Sequence, residues 1–278
     1  MSDFGGLRVV SFESRRAEEM GRLIRRFGGE SIVAPSMREV PLTDQHEALA
    51  FAARLFNGSL DMVILLTGVG TRTLIAALAT KYPKEQIIQA LGRMTLVVRG
   101  PKPIIALGEV GLKPTIAVPE PNTWRDILTT LDGQCPVQGK RVAVQEYGVT
   151  NDELLQGLQT RGAEVMRVPV YRWALPEDTG PLQEAIRAIC HEQADVLLFT
   201  SATQVDHLMH VAREMKMDAA LRAAVRRHVV VASVGPICSE ALKRHDLPID
   251  LEPAHPKMGS LLSEASQRSA QLLRQKRG

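Results

Sequence analysis

The segment DMVILLTGVGTRTLIAAL, residues 61–78, decides the fold class. Met62–Leu66 is an unbroken apolar run, short enough for a strand covered on both faces. Thr67-Gly68-Val69-Gly70 follows, and apolar residues then recur at helical spacing. Strand, glycine turn and helix start are one βα unit of a parallel sheet. Such a turn presents free N–H groups and the positive end of the helix dipole, so it suits an anion. A nucleotide is a poor match. The dinucleotide fingerprint wants a third glycine where Thr73 stands and an acid after the next strand, where Arg99 stands; the Gly-Lys-Ser/Thr of a phosphate loop is absent. The plainer reading is that the glycines only relieve crowding in a tight turn.

Outward from this unit, strand-like runs alternate with helical segments. Strands are expected at Arg8–Phe12, Ser31–Ala34, Met62–Leu66, Thr95–Val98, Thr115–Val118, Val142–Gln145, Glu164–Val168, Val196–Phe199, Val229–Ala232 and roughly Ile249–Leu251. That many strands suit two five-stranded parallel sheets better than one open sheet.

The sequence also repeats. LRVVSF near the start resembles KRVAVQ at 140–145, and MVILLTGVGTRTL resembles VLLFTSATQVDHL at 196–208. Gly100, Pro101, Ala106, Leu107 and Leu112 match Gly235, Pro236, Ala241, Leu242 and Leu247 without a gap. A common spacing of about half the chain points to a duplication, and convergence of two βα patterns is the alternative. Two lobes with a cleft between them are expected. APSMREVPL (34–42) and VPVYRWALP (168–176) read as stiff, proline-bounded connectors.

The totals exclude several classes. The 278 residues carry a net charge of +3, too mild to call for nucleic acid. Three Tyr and two Trp are too few to stack bases along a strand. No run approaches a membrane span, and the N-terminus lacks the pattern of a secretory signal. Cys135, Cys190 and Cys238 are scattered, which suits a reducing cytoplasm rather than a disulfide framework. His207 and His210 share a helix without an evident third ligand and read as surface residues. Asp61 and Asp195 precede matching strands and read as strand-start residues, not catalytic acids.

Candidate ligand-binding groups lie at strand ends, where doubly wound sheets bind ligands. They are Arg15 before the first helix; Thr67, Gly68, Val69 and Gly70; Arg99 and Gly100; Tyr147 and Gly148; Thr200 and Ser201; Gly235; and Cys238. Helix N-termini and neutral hydroxyls gathered in this way suit a ligand with many carboxylates.

AEEMGRLIRRFGGE, LLTGVG, VAVQEYG, RGAEVMRVPVYRW, ADVLLFTSATQVDHL and SVGPICSEALKRHDLPID, in this order and spacing, resemble the uroporphyrinogen-III synthase family over nearly the whole chain. The resemblance implies two flavodoxin-like domains joined by two extended connectors, with residues 1–37 and 172–278 in one and 38–171 in the other; the repeat alone would cut the chain near residue 139. It implies a cofactor-free lyase of porphyrin and heme biosynthesis, without a metal. This enzyme closes the linear tetrapyrrole hydroxymethylbilane, which has eight carboxylates, into uroporphyrinogen III by inverting the last ring and losing water. It implies a cytoplasmic monomer that receives its substrate from the preceding pathway enzyme. It assigns proton donation to Tyr171. A non-catalytic tetrapyrrole-binding regulatory domain of the same fold is the alternative. In one place the chain departs from the family: many relatives carry threonines after the late Gly-Pro, where Ile237 and Cys238 stand here.

Overall fold

The structure is a computed structural model, and it describes residues 3–42, 46–146, 148 and 150–278. From the N-terminus come β1 (Arg8–Ser11), α1 (Ala17–Arg26), β2 (Glu30–Val33), β3 (Arg38–Pro41), α2 (His46–Phe56), β4 (Met62–Leu65), α3 (Gly68–Ala79), α4 (Lys84–Leu91), β5 (Thr95–Val98), α5 (Pro101–Gly108), β6 (Ile116–Ala117) and α6 (Trp124–Gln134). Then follow β7 (Arg141–Gln145), α7 (Asp152–Thr160), β8 (Glu164–Val168), β9 (Tyr171–Ala174), α8 (Gly180–Cys190), β10 (Val196–Phe199), α9 (Ala202–Glu214), α10 (Asp218–Arg227), β11 (Val230–Ser233), α11 (Pro236–Arg244) and α12 (Met258–Arg277).

Two compact units result: Met1–Arg38 with Ala174–Gly278, and Glu39–Trp173. The first unit holds a parallel sheet in the order β11-β10-β1-β2. Leu251 adds a single bridge to Ala232, so the run at Ile249–Leu251 is a contact and not a full strand. The second unit holds a parallel sheet in the order β6-β5-β4-β7-β8. Aligned by their repeats, β1 and β7 correspond, as do β2 and β8, β10 and β4, and β11 and β5. Both sheets then share one spatial order, 2-1-3-4 in the first, which has four strands and not the expected five, and the full 2-1-3-4-5 of flavodoxin-like folds in the second. The second unit reaches it from a permuted chain order.

The duplicated halves are therefore not the units. β1 of the first half pairs with β10 of the second, and β7 of the second half pairs with β4 of the first. The segments read as connectors contain β3 and β9, which pair in a small sheet of their own.

Each sheet is covered on both faces because successive side chains on a strand point opposite ways. In the first unit Val10, Leu197 and Val231 pack with α8, α9 and α11. Val9, Val196 and Val230 face α1 and α12. In the second, Val63, Leu65, Val98 and Ala143 lie under α2, α3 and α4, while Ile64, Val97 and Val144 meet α6 and α7.

The correspondence extends to one ion pair. Arg8 donates to Asp195 from its backbone N, Nε and Nη2, each at 2.9 Å, and from Nη2 to the Glu192 carbonyl at 2.8 Å. Arg141 does the same to Asp61 at 2.8, 3.0 and 2.9 Å, and to the Gly58 carbonyl at 3.1 Å. Each pair clamps a first strand to its neighbour at the amino edge of the sheet. Hydrogen bonds from Arg141 hold the Asp61 carboxyl down at about 2. Burial pushes the Asp195 carboxyl up, but the bonds from Arg8 and Arg277 outweigh it and bring it to about 2.

Candidate functional site

The carboxyl edge of the second unit gathers most of the expected residues. Thr67 caps α3 by accepting the Gly70 N–H at 3.0 Å. That N–H is therefore satisfied within the turn. Gly68 and Gly70 are buried for a packing reason: a Cβ on Gly68 would stand 2.6 Å from the Lys102 carbonyl oxygen, and one on Gly70 would stand 1.9 Å from Gln145 Nε2. Val69 packs partly into the core beneath. Arg99 follows β5, and the buried Gly100 caps α5 with Pro101 at its first position. Asn122, its amide turned to donate, reaches the Val118 and Arg99 carbonyls at 3.0 and 2.6 Å.

Tyr171 opens β9, only 3% exposed. Its hydroxyl lies 3.3 Å from Thr67 Oγ1, and its ring meets Trp173 edge-on at 5.4 Å. Gly148 bridges to Arg172. It has φ of +90°, and a Cβ there would stand 2.5 Å from the Trp173 ring and 3.0 Å from the Tyr171 ring. Only glycine suits that backbone and that space. Tyr147 falls outside the described residues.

Around Tyr171 opens a pocket of about 210 Å³ lined by Glu146, Gly148, Thr150, Arg167, Pro169 and Arg172, with Leu42 at its border. Arg167 donates to both carboxylate oxygens of the buried Glu146, at 2.9 and 3.2 Å, and to Thr150 Oγ1 at 2.6 Å. The Glu146 bond raises the Arg167 pKa. Glu146, Thr150, Arg167 and Arg172 were absent from the expected set. The signal was available, since Glu146 and Thr150 follow β7, Arg167 lies near the end of β8 and Arg172 adjoins Tyr171, but polar residues there carry no motif.

The first unit carries the remaining expected residues on the edge of its own sheet. Thr200 donates to the Glu13 carboxylate at 2.6 Å, and Gln204 donates to Thr200 Oγ1 at 2.8 Å. Ser201 caps α9 by accepting the Thr203 N–H. The Thr200 proton is thus already engaged by an acid of the chain itself. Gly235 caps α11, and a Cβ there would stand 2.8 Å from Pro256. Arg15 is exposed just before α1. Cys238 departs from the expectation of a ligand contact: it turns inward, 2% exposed, with its thiol toward the Phe199 carbonyl at 3.9 Å. Burial pushes that thiol up to about 11. Ser239 beside it donates to Glu252, and its Oγ lies 2.8 Å from Ser233 Oγ. His207 is half-buried, with Nδ1 2.7 Å from the Ser36 carbonyl, and burial lowers its pKa. Among the described residues no group of three or more His, Cys, Asp or Glu could hold a metal ion. No helix among them is long and apolar enough to cross a membrane.

The family model described as Uroporphyrinogen-III synthase HemD matches residues 18–263. The chain belongs to the uroporphyrinogen-III synthase family. Within the family it is 30% identical over 243 residues to the "Putative uroporphyrinogen-III synthase" of Methanothermobacter thermautotrophicus, covering 86% of this chain and 89% of that one. It is 28% identical over 262 residues to the "Uncharacterized protein YjjA" of Bacillus subtilis, covering 93% and 94%. A crystal structure of a mutant uroporphyrinogen III synthase from Thermus thermophilus is similar at a TM-score of 0.71 and 25% identity, covering 96% of this chain and 99% of that one.

Proposed function

We propose that the chain is itself a uroporphyrinogen-III synthase, which closes hydroxymethylbilane with inversion of the last ring. The observation that supports this most is the Tyr171 hydroxyl, set beside Thr67 at a strand-end pocket in a chain of this family. The leaving hydroxyl of the substrate must take up a proton before water departs. A phenol carries a proton that it can give to such a group. Thr67 Oγ1 accepts from Gly70 and has its own proton to donate. Donated to the Tyr171 oxygen 3.3 Å away, that proton would support the phenol as it gives up its own.

In this reading the azafulvene formed by water loss is attacked at the substituted carbon of the last pyrrole. The spiro intermediate then fragments and recloses inverted. The overall change is dehydration and ring closure with no net oxidation, so the chemistry asks for positioning and one acid. The two compact units serve as the two domains of the family, and the protein acts in the cytoplasm as a monomer. The Gly68 turn contributes its helix-start N–H groups to a carboxylate, while its glycines are there for packing.

The test is to supply hydroxymethylbilane, oxidise the product and separate the isomers. Type III above the spontaneous background is expected. Type I alone, at the spontaneous rate, refutes the reading.

A further inference from the structure

Glu146 and Arg167 neutralise each other within the pocket beside Tyr171. Arg172 lines the same pocket, on the residue next to Tyr171, and among the described residues no acid is paired with its guanidinium. The pocket's formal charge is therefore +1, and all of it is on Arg172. The volume of about 210 Å³ lies below the roughly 300–1,000 Å³ of pockets that enclose a whole small molecule. It suits a part of a larger ligand: one short acidic arm and the edge of its ring.

Resting on the proposed function, we propose that this pocket is the seat of a single carboxylate arm of the substrate, held by Arg172. Three features shape the seat. The parallel bridge between Gly148 and Arg172 fixes the backbone from which the guanidinium extends. Glu146 holds Arg167 with two hydrogen bonds, so Arg167 frames the pocket instead of competing for the arm. Among the described residues Arg172 is the one positive charge in the pocket left over by this pair, so the pocket takes one acidic arm and not two. Because Tyr171 and Arg172 line the same pocket, the arm held there sets which carbon of the terminal ring lies near the Tyr171 hydroxyl. Arg172 is thus a positioning residue for isomer choice as well as a binding residue.

The experiment compares wild type, Arg172→Gln, Arg172→Lys and Arg161→Gln. Arg161, bridged to Asp132 at 2.7 Å at the far end of α7, controls for the loss of one positive charge. With hydroxymethylbilane, Arg172→Gln is expected to raise KM about 10–100-fold, the scale of one lost charge-assisted hydrogen bond, and to shift product toward type I. Arg172→Lys should restore part of the KM, and Arg161→Gln should match wild type. If wild type makes type III and Arg172→Gln keeps both its KM and its isomer ratio, the carboxylate seat is wrong while the proposed function stands. If wild type makes no type III, the function fails, and binding of uroporphyrin III, read by quenching of Trp173 fluorescence, decides the seat alone. Weaker binding in Arg172→Gln than in Arg161→Gln supports it, and equal binding overturns it.

Discussion

Replacing Asp195 by Asn separates charge from shape in one of the two matching clamps. Asp195 is 7% exposed and receives Arg8 and Arg277. Its carboxyl falls from an ordinary 3.8 to about 2 in the folded chain. A drop of nearly two units, at 1.36 kcal/mol each, is worth about 2 kcal/mol of stability. The folded value is the depressed one, so this stability is fully present above the unfolded pKa of about 3.9. It is lost as pH falls through the folded value. Asp195→Asn should therefore lower urea stability by about 2 kcal/mol at pH 7, with the gap closing between pH 4 and pH 2. Both tryptophans, Trp124 and Trp173, lie in the other unit, so far-ultraviolet circular dichroism and hydrogen exchange on β1 and β10 peptides are the proper probes. Asp61→Asn is the internal comparison. Its clamp repeats the Arg8 bonds but has, among the described residues, no counterpart of Arg277; the side chain is 39% exposed, and solvent screening should hold its effect to about 1 kcal/mol or less. An Asp195 variant as stable as wild type at pH 7, or a gap that persists unchanged at pH 2, refutes the account of the clamp.

Tyr171→Phe keeps the ring against Trp173 and removes the proton, so turnover should fall about 10²–10⁴-fold with product drifting to type I; near wild-type type III formation moves the donor elsewhere. Gly148→Ala forces an L residue to φ of +90° and a Cβ into the Trp173 ring, so a loss of about 1–3 kcal/mol and a shifted Trp emission are expected in a melt. Gly68→Ala should destabilise without any ligand present, because its Cβ meets the Lys102 backbone at 2.6 Å; unchanged thermal stability would return that glycine to a purely ligand-facing role. Cys238, its thiol pushed up to about 11, should resist a thiol reagent at pH 8 until urea unfolds the chain, as mass spectrometry of labelled peptides can check.

The βα alternation was legible because each strand carries its own apolar run, buried on both faces, and needs no distant information. Met62–Leu65 and Val196–Phe199 are the plainest examples. β3 and β9 were legible only as extended connectors. Their pairing joins residues far apart in sequence, and neither is apolar enough to announce a partner. The repeat was visible, yet it leaves open whether β1 lies beside β4 or β10, since both are βα units of the same pattern. At the candidate site, Thr67 stood out as a hydroxyl at a strand end, whereas Tyr171 was singled out only through the family resemblance. Gly68 and Gly70 were expected at the ligand, but the immediate constraint on them is Lys102 and Gln145. Cys238 sits in the first turn of a helix, and the direction of its side chain depends on how α11 packs over Phe199.

The crossing of the repeats also sets an order of events during synthesis. Asp61 meets an arginine 80 residues later, whereas Asp195 follows Arg8 by 187. At about 5–20 residues per second, a ribosome needs roughly 10–40 s between making β1 and making its partner β10. The unit Glu39–Trp173 is contiguous and can close its sheet within that interval. β1 and β2 meanwhile have only each other, with the β1 edge unpaired and apolar. Until residue 196 emerges, that edge is the part of the nascent chain with most need of a chaperone.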